Sequence, residues 1–408
     1  MKNRGKISIF LIVTILLSVL TCTAYADTNE QAVETSAKYD VATIDKLVSK
    51  TNVMDLKAKS AVLIDAASGK ILLEKNSHEK LAIASVTKVM SMLLIMEAID
   101  SGRLSFDDRV SVSEYAAGMG GSQAYLKPGE EFSVTEMLNA LAIHSSNDVT
   151  VSMAEKVSGS EETFVADMNQ KAAELGMNDT KFLDCTGLND DGYSSAHDVA
   201  LMSRELLTKH PKIVEFTGKY HDTFRNGTFS LDNTNKLVRF YQNADGLKTG
   251  FTNKAGFNLS ATANRNGLRL ISVVLGEPDS NTRFAESRKL LDFGFANFEV
   301  IKMDQKGNLV GNIEVKKGTQ LRVGAMYGAD TSVLVTKGEK GKIEREIALS
   351  PGLEAPIAMN QKVGEVIYKL DGTEIGRYEL VASQDVKKVS FLSLFNRMLV
   401  KWFSVNRQ

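Results

Sequence analysis

At 408 residues, 43% of them hydrophobic, the chain is long enough for two domains with sizeable cores, and five prolines leave little room for long disordered linkers. A net charge of -1, from 49 Lys plus Arg against 50 Asp plus Glu, lacks the basic excess that a nucleic-acid partner would need. The five histidines are scattered without a His-x-x-x-His pair and the two cysteines stand far apart, so no metal, no cofactor and no disulfide framework is expected.

Lys2, Arg4 and Lys6 precede an apolar run over 7–20, and Ala24-Tyr25-Ala26 follows. A basic start, a short apolar run and an Ala-x-Ala ending predict a signal peptide over 1–26. The run is short of the ~20 apolar residues of a transmembrane helix. The mature chain is then expected on the outer face of the cytoplasmic membrane, with Cys185 its one remaining cysteine, a small buried hydrophobe.

Residues 27–57 are polar and read as a lead-in. Ala61-Val62-Leu63-Ile64-Asp65 and Ile71-Leu72-Leu73-Glu74, separated by Ala67-Ser68-Gly69-Lys70, predict a hairpin. A long apolar helix follows from Ser85 to about Gly102. Residues 113–209 are mainly helical in pattern, with one amphipathic helix over 135–143, capped by Thr135 or Ser133, and another over 149–157. The polar stretch His144-Ser145-Ser146-Asn147-Asp148 lies between them as a turn. After Pro211 the pattern changes to strands, the strongest over 246–252, 256–261 and 269–276, and a helix over 285–298 closes the segment. Strands at both ends with helices between predict one α/β (α+β) domain over 27–298 whose sheet joins its two ends. Residues 299–382 alternate short β-branched runs with turns such as Lys337-Gly338 and Asp371-Gly372, a small all-β domain. Over 383–408, Phe391, Leu392, Phe395, Met398, Leu399, Trp402 and Phe403 fall on one helical stripe beside Lys387, Lys388, Arg397, Lys401 and Arg407. A basic, aromatic amphipathic helix predicts an in-plane membrane anchor; packing on the β domain is the alternative.

The chemistry centres on Ser85-Val86-Thr87-Lys88. Residues three apart share a helix face, so the Lys88 amine can reach the Ser85 hydroxyl. A helix N-terminus adds unpaired N–H donors and a positive dipole end. Together these are a nucleophile, a base and an oxyanion device. The spacing alone is weak: it arises by chance about once or twice in a chain this long. It recurs at Ser77-His78-Glu79-Lys80, a polar stretch that reads as a solvated turn. Two further motifs add weight through order and context. Ser145-x-Asn147 lies between helices, and Lys248-Thr249-Gly250 enters a strand flanked by glycines. Class A β-lactamases and penicillin-binding proteins carry this ordered trio.

The chain resembles the low-molecular-mass penicillin-binding proteins, the serine-type D-alanyl-D-alanine carboxypeptidases. The resemblance runs from about Ala61 to the tail. Beyond the trio it rests on Leu63-Ile64-Asp65 with Ser68-Gly69, on Gly187-Leu188, Asn233-Thr234-Asn235-Lys236 and Asp245-Gly246-Leu247, and on Ala255-Gly256-Phe257 and Leu290-Leu291-Asp292-Phe293-Gly294-Phe295. These favour the carboxypeptidases over the β-lactamases. The resemblance implies a β-lactamase/transpeptidase-like catalytic domain, a β-sandwich and a C-terminal membrane-associated helix.

It also implies roles. Ser85 attacks the penultimate D-Ala carbonyl and Lys88 takes its proton, which requires a neutral amine. Burial and the neighbouring Lys248 cation are expected to keep Lys88 neutral. The Ser85 and Phe251 N–H groups form the oxyanion hole, Ser145 relays the proton to the leaving nitrogen, and Asn147 binds the substrate amide and orients Lys88. Lys248 and Thr249 bind the terminal carboxylate, Gly250 admits the substrate backbone, and Arg283 stands behind the strand and helps hold the carboxylate or serves only as a structural ion pair. Thr234 replaces an arginine of some relatives, Phe251 a common histidine, and Asp184-Cys185 a pair that often begins with Asn. The expected partners are peptidoglycan stem peptides, β-lactams as covalent inhibitors, and the membrane surface. The expected function is removal of the terminal D-Ala from pentapeptide stems through an acyl-serine intermediate. A serine β-lactamase and a catalytically silent wall-binding scaffold are the rivals; the acids over 179–191 form no Glu-x-x-x-Asn pattern of the kind class A β-lactamases use.

Overall fold

The computed structural model describes residues 54–390 and 395. The expected signal peptide, most of the lead-in and the membrane-anchor stripe lie outside the described residues, Phe395 apart.

The first domain is built on a five-stranded antiparallel sheet. Its strands are β1 (Ser60–Asp65), β2 (Ile71–Lys75), β3 (Ala244–Thr252), β4 (Gly256–Arg265) and β5 (Leu268–Glu277), in the order β2-β1-β5-β4-β3. The first hairpin therefore pairs with the last strands, with Val62 opposite Val273. All six residues of β1 are buried, because both faces of the sheet are covered. Alternate side chains face opposite ways: Val62 and Ile64 pack into the helical lobe, Ala61 and Leu63 under the closing helix with Leu290 and Leu291.

The helical lobe holds α1 (Lys88–Asp100), α2 (Asn147–Ser158), α3 (Glu161–Glu174) and α4 (Ala196–Lys209). Nine consecutive residues of α1, Lys88 to Met96, are buried. A helix apolar all round is a central helix, and this one anchors the site. Ser133, not Thr135, caps the helix Val134–Asn139, in a reciprocal capping box with Glu136. That helix continues into a π-helical turn, Ala140–His144. The closing helix α5 (Ser280–Asn297) starts five residues before the expected 285, because Asp279 accepts from the Asn281 and Thr282 N–H groups. Two features interrupt the region read as mainly helical. Glu131–Ser133 pairs with Arg109–Ser111, just before that region, as a small two-stranded antiparallel sheet. Residues 175–195 form no regular element and are tied down by the bridges Leu81–Ser194 and Lys181–Tyr193.

The second domain is all-β. Strand β6 (Phe298–Lys302) pairs with β9 (Ser332–Thr336). The larger sheet runs β10 (Ile343–Leu349), β12 (Lys362–Leu370), β13 (Thr373–Ala382), β8 (Arg322–Tyr327), β7 (Leu309–Lys316) and β11 (Leu353–Glu354). Tyr368 is buried whole, with its hydroxyl 2.8 Å from both Asp304 and Thr331. The start of the expected tail helix is extended instead. Val386 is buried and exchanges two 2.9 Å backbone hydrogen bonds with Ile357, and the Val389 N–H donates to the Lys317 carbonyl at 2.8 Å. The amphipathic stripe begins only at Phe391, so nothing in the side-chain pattern of 383–390 favoured a helix over these pairings. Among the described residues no helix is long and apolar enough to cross a membrane.

Candidate active site

Ser85 sits in a 3-10 turn, Ala84–Thr87, that runs straight into α1. Ala84 before it is left-handed, with φ +49°. A strained residue beside a half-buried serine is the kind of feature that functional sites carry. Lys88 is the first residue of α1 and is wholly buried. Its Nζ lies 3.0 Å from Ser85 Oγ, 2.6 Å from Asn147 Oδ1 and 2.8 Å from the Thr186 carbonyl oxygen. Asn147 donates its own Nδ2 to the Gly120 carbonyl at 2.7 Å, which fixes its amide with the oxygen toward Lys88. The two partners other than Ser85 are acceptors only. A neutral Lys88 has two N–H groups and one lone pair. Asn147 and Thr186 take the N–H groups and leave the lone pair facing the Ser85 hydroxyl. Burial pushes the Lys88 amine down to about 8, against the opposing pull of Cys185, Asp184 and Asp148.

Ser145 and Asn147 reach the site from the junction between the π-turn and α2. Ser145 is left-handed, with φ +67°, and its buried hydroxyl has no hydrogen-bond partner among the described residues. The Asn147 N–H donates to the Ser122 carbonyl at 2.7 Å. Gly121 lies so close that a Cβ on it would stand 2.6 Å from Asn147 Nδ2.

Strand β3 closes the other side. Lys248 is buried and donates to the Thr249 carbonyl at 2.9 Å. Burial pushes its amine well down, and the cations of Lys88 and Arg283 push it further. Burial is the largest cause at both amines, and the repulsion between them is mutual. Thr249 Oγ1 donates to Thr234 Oγ1 at 2.8 Å. Gly250 packs against the protein's own turn, where a Cβ would stand 2.5 Å from the Ile83 carbonyl oxygen, so its smallness is demanded before any substrate arrives. Phe251 is 51% exposed, with its ring centroid 4.3 Å from that of Phe257. Arg283, on the first turn of α5, donates at 3.3 Å to the carbonyls of Gly250 and Asn258 and at 3.2 Å to Ser280 Oγ. It therefore braces β3 against β4 from behind. Burial lowers it to about 10, with Glu277 opposing.

Comparisons with known proteins point to one family. Residues 46–279 match the family model described as D-alanyl-D-alanine carboxypeptidase. The chain belongs to that family. Residues 298–388 match the model for the C-terminal domain of penicillin-binding protein 5. The D-alanyl-D-alanine carboxypeptidase DacF of Bacillus subtilis is 44% identical over 358 residues, covering 86% of this chain and 92% of its own. DacA of Escherichia coli K12, also named a D-alanyl-D-alanine carboxypeptidase, is 34% identical over 383 residues, covering 90% of this chain and 95% of its own. Among solved structures, penicillin-binding protein 5 of Haemophilus influenzae superposes with a TM-score of 0.72 at 33% identity, over 83% of this chain and 100% of its own. Penicillin-binding protein D2 of Listeria monocytogenes, in its ampicillin-bound form, gives 0.55 at 33% identity, over 60% of this chain and 100% of its own.

Within this member of the family, two contributors escaped the sequence reading, and a third, Gly187, was read there without a role. The Gly120–Gly121–Ser122 backbone holds Asn147. The Thr186 carbonyl holds Lys88. Gly187, with φ +81°, lies so tight on the turn that a Cβ would stand 1.9 Å from the Ala84 carbonyl oxygen. Backbone acceptors carry no side-chain signature. The one available signal was Asp184-Cys185-Thr186-Gly187, an Asx-turn pattern ending in glycine. Among the described residues no group of three or more His, Cys, Asp or Glu side chains could hold a metal ion.

Proposed function

We propose that Ser85 is the nucleophile of a D-Ala-D-Ala carboxypeptidase that removes the terminal D-alanine from peptidoglycan pentapeptide stems. The observation that carries this reading is the Lys88 amine, buried 3.0 Å from Ser85 Oγ with both other partners acceptors. Lys88 takes the Ser85 proton as Oγ adds to the penultimate carbonyl. The N–H groups of Ser85 and Phe251 receive the oxyanion; losing one such donor typically costs about 10²–10³ in rate. The unpartnered Ser145 hydroxyl passes the proton to the departing D-Ala nitrogen. Asn147 holds Lys88 and receives the substrate amide. Lys248 and Thr249 bind the terminal carboxylate, whose charge favours the ammonium form that burial disfavours at Lys248. Water then attacks the acyl-serine ester, with neutral Lys88 as base, and frees the shortened stem. β-Lactams present the same carbonyl and carboxylate and acylate Ser85.

Slow deacylation of penicillin is the expected behaviour, and the nearby acids are engaged elsewhere. Asp184 is occupied by its own loop, Asp190 by Thr252 Oγ1 and Asp191 by Lys254. No Glu-x-x-x-Asn pattern stands over 179–191 of the kind that holds the hydrolytic water in class A β-lactamases. The leader at 1–26 and the basic, aromatic stripe after Phe391 support an exported protein held peripherally on the outer face of the membrane.

The test is D-Ala release from a diacyl-D-Ala-D-Ala peptide by wild type and Ser85→Ala, with labelled penicillin alongside. The expected result is release by wild type only and a label that stays for minutes. Rapid penicillin turnover would make the protein a β-lactamase. No release, with binding to wall fragments, would make it a scaffold.

A further inference from the structure

The loop that supplies the Thr186 carbonyl is built around one carboxylate. Asp184 Oδ1 accepts from the Thr186 N–H at 2.6 Å, from Thr186 Oγ1 at 2.9 Å and from the Gly187 N–H. Its Oδ2 accepts from the Asn189 N–H at 2.6 Å. The loop so folded lies along one face of the nucleophile's turn and α1. Gly187 meets Ala84, the Thr186 carbonyl takes Lys88 Nζ at 2.8 Å, and the Cys185 carbonyl takes Ser91 Oγ at 2.6 Å. Residues 84, 88 and 91 are spaced three or four apart, which is one helix face. The loop is anchored from outside as well, because the Cys185 N–H donates to Glu161 Oε1 at 3.1 Å.

We propose that Asp184 is a positioning residue for acylation: its carboxylate shapes the loop that turns the Lys88 lone pair toward Ser85, and it adds a negative charge to that loop. The second half has a definite sign. Lys88 faces Asp184 and Cys185 from the loop, Asp148 from α2 and Lys248 from β3. Burial opposes the ammonium most, as does the Lys248 amine; Cys185, Asp184 and Asp148 favour it. Removing the Asp184 charge therefore frees the amine at lower pH. The inference rests on Lys88 serving Ser85 as base.

The experiment follows labelled-penicillin acylation against pH in the full chain, as wild type, Asp184→Asn and Asp184→Ala, all in a Cys22→Ser background. Asp184→Asn keeps an acceptor oxygen for the Thr186 and Gly187 N–H groups and loses only the one for the Asn189 N–H. Its acidic limb is expected about half a pH unit lower, with a plateau within about tenfold of wild type. Asp184→Ala loses the loop: its plateau is expected to fall about 100-fold, and the fully buried Cys185 should become reactive to a thiol reagent. Should Asp184→Ala fail to fold, Asp184→Asn carries the test alone. A plateau loss in Asp184→Asn with the limb unmoved would reduce Asp184 to a structural cap and overturn the proposal, as would a profile identical to wild type. If wild type itself is never acylated at Ser85, the parent reading fails instead, and that outcome is separable.

Discussion

Gly250 and Ile83 are packed backbone to backbone. A Cβ on Gly250 would lie 2.5 Å from the Ile83 carbonyl oxygen, 3.0 Å from the Val86 nitrogen and 3.1 Å from the Ser85 nitrogen. The strand expected to bind substrate is thus the wall against which the nucleophile's turn is set. One of the obstructing atoms is the Ser85 N–H nitrogen, which is assigned to the oxyanion hole.

Gly250→Ala should therefore damage chemistry more than fold. The extra methyl must push the Ile83–Val86 backbone off β3, and a displaced oxyanion donor costs about 10²–10³ in rate. Penicillin acylation is expected to slow by at least about 100-fold, with a melting temperature lower by a few degrees. Near-wild-type acylation would mean that the turn moves aside freely and that this contact does not set the nucleophile.

The pH dependence of acylation should carry the signature of Lys88. The amine is pushed down to about 8, and only its neutral form can take the Ser85 proton. The acylation rate is expected to rise about tenfold per pH unit below 8 and to level off above it. A limb near pH 10, the ordinary lysine range, would show that burial does not tune this amine.

Asn147→Asp tests the same device from the opposite side to Asp184. The side chain keeps an oxygen for Lys88 but gains a charge 2.6 Å from the amine and loses the Nδ2 bond to Gly120. An added anion favours the ammonium, so the acidic limb should move up by at least about one unit. Acylation at pH 7 should fall at least about tenfold. A limb that stays in place would assign Asn147 to substrate binding alone.

What the sequence made legible follows from how each feature is encoded. The sheet was readable because β1 and β5 are short β-branched or apolar runs bounded by turns. The trio of motifs was readable because side chains do its chemistry. The supports of that chemistry are main-chain atoms: the Thr186 carbonyl on Lys88, the Gly120 carbonyl on Asn147, and the Ile83 carbonyl against Gly250. No residue type announces a carbonyl. Arg283, read by resemblance as standing behind the strand, donates there to the Gly250 and Asn258 carbonyls, partners that no residue type marks. The start of α5 was misplaced because its cap, Asp279, lies before the amphipathic pattern begins.

A last prediction concerns the stability of the frame behind Arg283. Glu277 ends β5 and is buried, and neither of its carboxyl oxygens has a donor among the described residues. Glu286 on α5 instead accepts from the Lys57 N–H at 2.7 Å and the Ala58 N–H at 3.1 Å. A protonated Glu277 donating to an ionised Glu286 accounts for both. Burial, with Glu286 close by, pushes Glu277 up to about 8. The folded state therefore keeps a proton that the unfolded chain releases near the ordinary glutamate value of 4.5. A raised carboxyl pKa gives stability that is full below the unfolded value and is lost as pH climbs through the folded value. The melting temperature should fall by several degrees between pH 5 and 8 and then flatten in this respect. Glu277→Gln keeps a donor for Glu286 and cannot ionise, so its melting temperature should change less over that range. A variant whose slope parallels wild type would place the titrating group elsewhere. The expected flattening would show that the brace linking β5, α5 and the chain at Lys57 is held by a shared proton.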